Sequence, residues 1–176
     1  VTDDGSPPLS ESRSLTVVIR AKMRLVINEI MHSPAVANAE FIELLNTSTN
    51  SPADLSGFRL TGEHLTYVFP QGANVGPGNY LVIAKNQGVF SATYGNAIPV
   101  AGEFSGAFSP NGDTLRLIKP GAVPEEDELL DEVTYSSRLP WPTPASGQGA
   151  SLQLIDPKQD NDRIANWAGV AGIATN

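Results

Sequence analysis

The sequence predicts an all-β fold, arranged as an antiparallel sandwich of short strands. Short runs of residues alternate between apolar and polar side chains, as in Leu65, Tyr67 and Phe69, and this period of two is typical of strands with one buried face. The chain is also rich in turn-forming residues, with 16 Gly and 14 Pro. Since no helical crossovers separate the strand-like runs, an antiparallel sandwich is favoured over a parallel sheet.

About nine short strands are predicted, and Asn86–Tyr94 leaves room for one short helix. Segments that contain Gly, Pro or Asn separate the strands as turns. We expect Trp141, which lies in a proline-rich stretch, to pack its indole against the edge of the sandwich. The predicted strands are Leu25–Met31, Phe41–Asn46, Phe58–Thr61, His64–Phe69, Tyr80–Lys85, Phe104–Phe108, Thr114–Lys119, Leu130–Tyr135 and Ser151–Ile155.

Charge and composition exclude several classes of function. The formal net charge is −8 and the 11 basic residues are scattered, so no basic stripe is available to neutralise nucleic acid. We therefore expect no nucleic-acid partner, whereas cationic partners and divalent metal ions stay possible. No apolar run approaches the roughly 20 residues of a membrane helix, and we expect no membrane span. The chain has no Cys, which excludes disulfides and thiolate nucleophiles.

The first residues form a segment of their own. The chain begins at Val1 rather than Met, and we interpret it as a piece of a longer protein. A turn-forming loop precedes one predicted strand, Ser14–Ile19. Residues 1–20 resemble the last loop and last strand of a cadherin-type repeat, whose pattern Asp-x-Gly-x-Pro-x-Leu-Ser begins here at Asp3. The resemblance implies a calcium-binding role for Asp3, but the basic run Arg20–Arg24 stands in place of the acidic linker.

An ordered series of motifs runs from Leu25 to Trp167. The motifs are Ile27–Met31, Glu40–Asn46, Asp54–Thr61, Phe69-Pro70, Gly76–Ile83, Ser109–Leu117, Asp131–Tyr135, Trp141-Pro142, Gly149–Leu152 and Asn166-Trp167. The series resembles the lamin tail domain family in its bacterial form. This resemblance implies an immunoglobulin-like β-sandwich, found in nuclear lamins and, in bacteria, appended to secreted or surface proteins that include hydrolases. It carries over no catalytic residue.

The predicted organisation has four parts. Residues 1–20 are the incomplete cadherin-like repeat, residues 21–24 are a linker, residues 25–170 are the sandwich and residues 171–176 are a C-terminal tail. Within the sandwich, Asp54 and Ser56 are expected to bind nearby backbone amides in a turn, and Gly57 permits a positive φ there.

Three glutamates, Glu29, Glu40 and Glu43, lie in or beside predicted strands. A carboxylate at such a position must face water or find a partner. Three roles stay open, of which hydrogen bonding between neighbouring strands is favoured. The others are a cation site and a carboxylate pair for glycoside hydrolysis, which needs two carboxylates roughly 5–9 Å apart.

A second acidic group, Asp156, Asp160 and Asp162, forms the densest cluster of oxygen ligands in the chain. Ca²⁺ takes roughly six to eight oxygen ligands, and a loop with this spacing can supply several. The spacing does not match the EF-hand loop. Calcium is therefore a possible cofactor, the alternative is a solvated turn capped by Asp side chains, and no other cofactor is expected.

Two other patterns point to known chemistry. A Ser/His/Asp triad would have to use His32 or His64, and Ser33 is adjacent to His32, but neighbouring strand residues point to opposite faces. We therefore expect no hydrolytic triad and place both His on the surface or in loops. Asn46-Thr47-Ser48 fits the acceptor pattern for N-glycosylation.

These observations favour a non-catalytic interaction or structural module of a larger modular protein, bacterial and either secreted or on the cell surface. Its partner is expected to be a protein or another cell-surface component. The alternatives are a targeting or substrate-binding accessory domain of an extracellular hydrolase, and a calcium-stabilised structural module. We also expect Ser14–Ile19 to dock on an exposed sheet edge, of its own sandwich or of a second copy.

Overall fold

A computed structural model describes residues 25–109, 111–145 and 149–171. The predicted cadherin-like segment, the linker and the strand Ser14–Ile19 lie outside these residues. Thirteen strands and one α-helix, α1 (Gln87–Tyr94), make up the described part. The strands are β1 (Leu25–Met31), β2 (Phe41–Asn46), β3 (Ala53–Asp54), β4 (Arg59–Thr61), β5 (Leu65–Val68), β6 (Asn74–Val75), β7 (Tyr80–Ala84), β8 (Val100–Glu103), β9 (Ser105–Gly106), β10 (Gly112–Lys119), β11 (Glu128–Ser136), β12 (Ala150–Leu154) and β13 (Trp167–Ala171).

The strands form two main sheets that pack face to face, which confirms the predicted immunoglobulin-like sandwich. One sheet has six strands in the order β13-β12-β1-β2-β7-β8, and the other has five in the order β11-β10-β4-β5-β9. All pairs in these sheets are antiparallel except β7 and β8, which run parallel because α1 supplies the crossover between them. A short pair, β3 and β6, lies beside the main sheets.

Apolar side chains from both sheets fill the space between them. Ile27 and Leu152 come from the six-stranded sheet and Leu60, Leu115 and Leu117 from the five-stranded sheet, and all five are fully buried. The predicted period of two is visible in β5, where Leu65 and Tyr67 are buried and their neighbours exposed. Burial of these alternating side chains supplies most of the driving force for packing the sheets.

A β-bulge interrupts the central strand β1. The pairing with β2 runs from Ile27 opposite Leu44 directly to Glu29 opposite Glu43, so Asn28 is an extra residue in β1. As a consequence Ile27 and Ile30, three positions apart, both join the core between the sheets. Glu29 is turned to the opposite, outer face of the six-stranded sheet.

The outer face of the six-stranded sheet carries a second, smaller apolar cluster. Helix α1 begins after Asn86, whose side chain accepts a hydrogen bond from the Val89 amide. Phe90 of the helix then packs edge-on against Phe41, with 5.2 Å between ring centroids. Met31 and Val82 complete this contact. One end of the outer face is thereby covered by the helix.

Four strands were not expected from the sequence. The strands β3 and β6 have only two residues each, too short for a period to be recognised. The strand β8 follows Pro99 and contains Gly102, both of which weaken a strand pattern. In β13, small residues follow Trp167, and strands normally favour β-branched side chains. The predicted strand Phe104–Phe108 is reduced to β9.

Several local expectations are confirmed. The Asp54 carboxylate accepts hydrogen bonds from the Ser56 amide at 2.9 Å and from its hydroxyl at 2.6 Å, and Gly57 has a φ of 76°. Trp141 is 5% exposed and packs against Trp167, with 6.1 Å between ring centroids. The turn chemistry and the indole packing were therefore readable from the sequence.

Asn46, the residue of the glycosylation pattern, is almost fully buried. Its side-chain amide donates to the Ser51 carbonyl at 2.9 Å and to the Val75 carbonyl at 3.1 Å. Its Oδ1 accepts from the Ser48 amide at 3.0 Å. Because the nitrogen that would carry a glycan is used inside the fold, Asn46 acts as a structural residue in the folded chain.

Replacing Asn46 by Ala is expected to destabilise the fold by about 1–3 kcal/mol, because two buried carbonyls lose their donor. Urea unfolding followed by tryptophan fluorescence measures this free energy. The matched control is Asn96→Ala, at an exposed position, which should change the free energy of unfolding by less than about 0.5 kcal/mol. Equal effects of the two substitutions would contradict the assigned role of Asn46.

Candidate functional site

Two glutamates meet on the outer face of the six-stranded sheet. Glu29 of β1 and Glu43 of β2 are directly opposite each other in the ladder. Both are 0% exposed, although carboxylates are rarely buried to this degree. Like charges at opposite positions of neighbouring strands repel each other. This glutamate pair is therefore the most unusual feature of the described residues, and the sheet must stabilise it locally.

Neutral polar side chains surround the glutamate pair. Asn28, the bulge residue, donates from Nδ2 to Glu43 Oε1 at 2.9 Å. On the other side, Ser151 of β12 donates from Oγ to Glu29 Oε1 at 2.5 Å, and Gln153 donates to the same oxygen at 3.2 Å. The bulge in β1 and the position of β12 beside it thus place three donors around the two carboxylates.

Burial alters the protonation of this site. The pKa of Glu43 is raised from its usual range to about 8, chiefly because burial disfavours the charged form. The hydrogen bond from Asn28 opposes this rise, and the charge of Glu29 adds to it. Glu43 Oε2 has no hydrogen-bond partner within the described ranges. Glu43 is therefore mainly protonated at neutral pH.

Tyr94, in the last turn of α1, lies close to the same site. Burial raises its pKa to about 12, and the charges of Glu29 and Glu40 contribute to the rise. Glu40 is partly exposed, at the start of β2, and does not join the ladder pair. The structure thus brings Glu29 and Glu43 together and leaves Glu40 to the side.

The glutamate pair is poorly suited to hydrolysis. A glycosidase needs its two carboxylates on either side of a cleft that holds the sugar. Here both side chains are sealed from solvent between strands, and their observed contacts are to amides and a hydroxyl of the same sheet. Hydrogen bonding between neighbouring strands, the role favoured from the sequence, is the role that this geometry supports.

Asp131 joins the two sheets, a role not recognised from the sequence. One carboxylate oxygen accepts from the Ile27 amide of β1 and from Asn161, each at 2.7 Å. Burial raises the pKa of Asp131 to about 6. A signal was present, because Asp131 shares the inward period of two with Val133 and Tyr135, which lie in the core.

The three aspartates of the predicted calcium cluster lie in the loop between β12 and β13. Asp156 accepts from the Lys158 amide and the Gln159 side chain, each at 2.9 Å. Asp160 accepts from the Asp162 amide at 3.0 Å. No three His, Asp or Glu side chains in the described part of the chain are arranged to hold a metal ion. The loop has the hydrogen bonds of a capped turn, and the calcium site stays a prediction.

The two histidines occupy different environments. His32 follows β1 and is 9% exposed, packed on the ring of Tyr135 with 4.9 Å between centroids. Burial lowers its pKa to about 4, so the ring is neutral at physiological pH. His64 is exposed and lies 3.7 Å from Glu63.

Glu43→Gln is expected to flatten the pH dependence of stability. Because the pKa of Glu43 is raised on folding, the folded chain holds a proton that the unfolded chain releases between about pH 4.5 and 8. Its contribution to stability is therefore complete below pH 4.5 and is lost as the pH rises towards 8.

Urea unfolding at pH steps from 4 to 9 measures this effect. The wild-type chain should lose up to about 1.4 kcal/mol per pH unit relative to Glu43→Gln across that window, the limit for one proton. The control is Glu63→Gln, whose side chain is 61% exposed. The control should follow the wild-type curve. If Glu43→Gln also follows the wild-type curve at every pH, this result would contradict the burial of an ionisable Glu43.

The calcium hypothesis predicts that millimolar Ca²⁺ raises the melting temperature above the value in EDTA, because an ion bound only by the folded chain stabilises it. The increase should disappear in Asp160→Asn and persist in Asp127→Asn, whose carboxylate lies at Arg59 in a different loop. Differential scanning calorimetry provides the measurement. Equal melting temperatures in Ca²⁺ and EDTA would remove calcium from the account of the loop.

Among the described residues, no helix has the length and apolar character needed to cross a membrane.

Comparison with known proteins gives one match. No curated protein and no solved structure matches the chain. The family model described as Lamin Tail Domain matches residues 19–137, which is more than half of the chain. The chain therefore belongs to the lamin tail domain family.

Proposed function

We propose that this chain is a non-catalytic interaction or structural module within a larger modular bacterial protein that is secreted or displayed on the cell surface. One observation carries the proposal. The only closely opposed carboxylates on the described strands, Glu29 and Glu43, are sealed inside the sheet. Their hydrogen bonds join β1, β2 and β12, so the role of the two carboxyl groups is to stabilise the sheet.

The surface features of the sandwich support a role in contacts with other molecules. Immunoglobulin-like sandwiches offer loops and strand edges, and function on such a fold depends on the groups placed there. A groove of about 750 Å³ lies between the start of β1 and the loop Pro157–Asn161. Its lining includes two carboxylates, Asp131 and Asp160, and one cation, Lys158, in accordance with the negative net charge of −8 and with a cationic partner surface.

The extracellular part of the proposal derives from the sequence resemblance to surface modules. An accessory role beside an extracellular hydrolase would use the same sandwich and differ in what else the parent protein contains. In both cases the module itself performs no chemistry. The sequence of the parent protein on both sides of this chain separates the two roles, because a hydrolase domain would be recognisable there.

Antibodies raised against the purified chain test the proposed location. On intact cells of the source organism, we expect labelling of the surface or recovery of the antigen from the medium. Brief protease treatment of intact cells should abolish surface labelling, while a cytoplasmic control protein stays intact. Labelling that requires lysis of the cells would contradict an extracellular module.

A hydrolysis assay tests the non-catalytic part of the proposal. The purified chain should release no product from a panel of aryl glycosides at pH 5 to 8. If any release is found, Glu43→Gln decides its origin, since an activity of this site would be lost in that variant. Turnover that is lost in Glu43→Gln would overturn the structural role of the glutamate pair.

A further inference from the structure

The strand β13 forms an unprotected edge of the six-stranded sheet. On one side it pairs with β12 in an unbroken register from Trp167 opposite Leu154 to Ala171 opposite Ala150. On its other side no strand is paired among the described residues. Residues 168–171 are Ala, Gly, Val and Ala, without a charge, a Pro or a bulge. Charged side chains, Pro and bulges are the features that normally prevent an edge strand from pairing.

The other edges of the two sheets are better protected. The edge strand β11 carries Glu128, Asp131 and Glu132. The strand β8 contains Glu103 and a register shift in its pairing with β7, and β9 is only two residues long. Charges, irregularities and short length all discourage the addition of a further strand. Among these edges, β13 is therefore the one suited to accept a strand.

We propose that Ser14–Ile19 of the same chain adds to β13 in the antiparallel sense and becomes a seventh strand of this sheet. The segment reads Ser-Leu-Thr-Val-Val-Ile, and four of its six residues are β-branched. A segment of this composition has unpaired backbone donors and acceptors unless it joins a sheet. The unprotected edge of β13 supplies the matching groups.

The direction of the chain favours this pairing. The strands β1 and β13 both run antiparallel to β12, so they run in the same direction. A strand antiparallel to β13 therefore runs opposite to β1, and its last residue lies at the end of the sheet where β1 begins. Glu29 pairs with Gln153, and Gln153 pairs with Ala168, so Glu29 and Ala168 lie at the same height in the sheet. Leu25 therefore lies only a few residues below the first residue of β13.

The length of the intervening chain is sufficient. The added strand would lie three strand spacings from β1, about 15 Å. Residues 20–24 connect Ile19 to Leu25, and an extended chain of this length spans roughly 20 Å. Pairing within one chain also benefits from a local concentration in the millimolar range. A second copy at micromolar concentration competes poorly with that.

The side-chain pattern fits the inner side of the edge. Trp167 belongs to the core, so Gly169 and Ala171 share its side of β13. When Ile19 lies opposite Trp167, the apolar residues at positions 15, 17 and 19 all fall on this side. The small residues of β13 leave space there, and Leu15 and its alternating neighbours would extend the core over it.

On the outer side, the same register places one polar side chain among apolar ones. Thr16 falls opposite Val170, which is 38% exposed, and Val18 falls opposite Ala168. The added strand then has an apolar inner face and an outer face that is mixed, with Thr16 directed to water. The segment that precedes the sandwich is thereby fixed to its edge, so that a neighbouring module would be held at a set orientation.

Cysteine crosslinking in the full chain tests this proposal, because the chain has no Cys of its own. The variant Thr16→Cys/Val170→Cys places two thiols directly opposite each other, within reach of a disulfide. In dilute solution we expect an intramolecular disulfide, seen as loss of free thiol with monomer mobility on a non-reducing gel. The matched control is Thr16→Cys/Ser105→Cys, with the second thiol exposed on β9, which should keep both thiols.

A third variant, Thr16→Cys/Ala168→Cys, covers a register shifted by two residues. Covalent dimers in place of monomers would show pairing between copies and overturn the same-chain arrangement. Failure of both β13 pairs to crosslink, or equal crosslinking of the β9 control, would overturn docking on β13. Melting curves under reducing conditions confirm that each variant is folded.

Hydrogen exchange supplies a second measurement that needs no thiols. The amides of Gly169 and Ala171, which face away from β12, should exchange at least tenfold faster in Val17→Pro than in the wild-type chain, because Pro removes a backbone donor and disrupts the added strand. Ser10→Pro, outside the predicted strand, is the control and should leave this exchange unchanged. Identical exchange in Val17→Pro and wild type would overturn the proposal.

Discussion

The extra residue in β1, Asn28, is the feature on which the arrangement of the six-stranded sheet depends. The bulge keeps Ile27 and Ile30 on the core side although they are three positions apart, and it turns Glu29 to the outer face. Without the bulge, every side chain of the central strand after Ile27 would change face. The amide of the extra residue then binds Glu43, so the irregularity also supplies a partner for the carboxyl group that it helps to bury.

The buried polar groups connect elements far apart in the sequence. Ser151 binds Glu29 across 122 positions, and Asp131 binds the Ile27 amide across 104. Such bonds are costly when a partner is missing and favourable when it is present, so they select one arrangement of the strands over others. Deep burial gives these carboxyl groups a structural role and removes the solvent access that catalysis needs. Cohesion of the sandwich and the exclusion of solvent from these carboxyl groups thus have a common cause.

The sequence was sufficient where side chains alternate strongly or turns have specific chemistry. The bounds of β1 and β2 were predicted without error, as were the turn at Gly57 and the packing of Trp141. It was insufficient where partners decide the outcome. The sequence showed that Glu43, in a predicted strand, must face water or find a partner. It could not show that Glu43 is buried, because that burial depends on a bulge in another strand. Likewise β13 is a strand because β12 offers a ladder, although three of its five residues are Ala or Gly.

The C-terminal strands show that the sandwich extends past the residues matched by the family model, which end at 137. The strand β12 lies beside β1 inside the six-stranded sheet and brings Ser151 to the glutamate pair. With β12 absent, β1 would become an edge, and Glu29 would lose two donors, Ser151 and Gln153. The strand β13 covers β12 in turn and contributes Trp167 to the core, but it brings no charge to guard its own outer side. The open edge of the six-stranded sheet is therefore formed by small, neutral residues. An edge of this kind has no charge, Pro or bulge that opposes pairing, so it is the edge that most readily accepts a further strand.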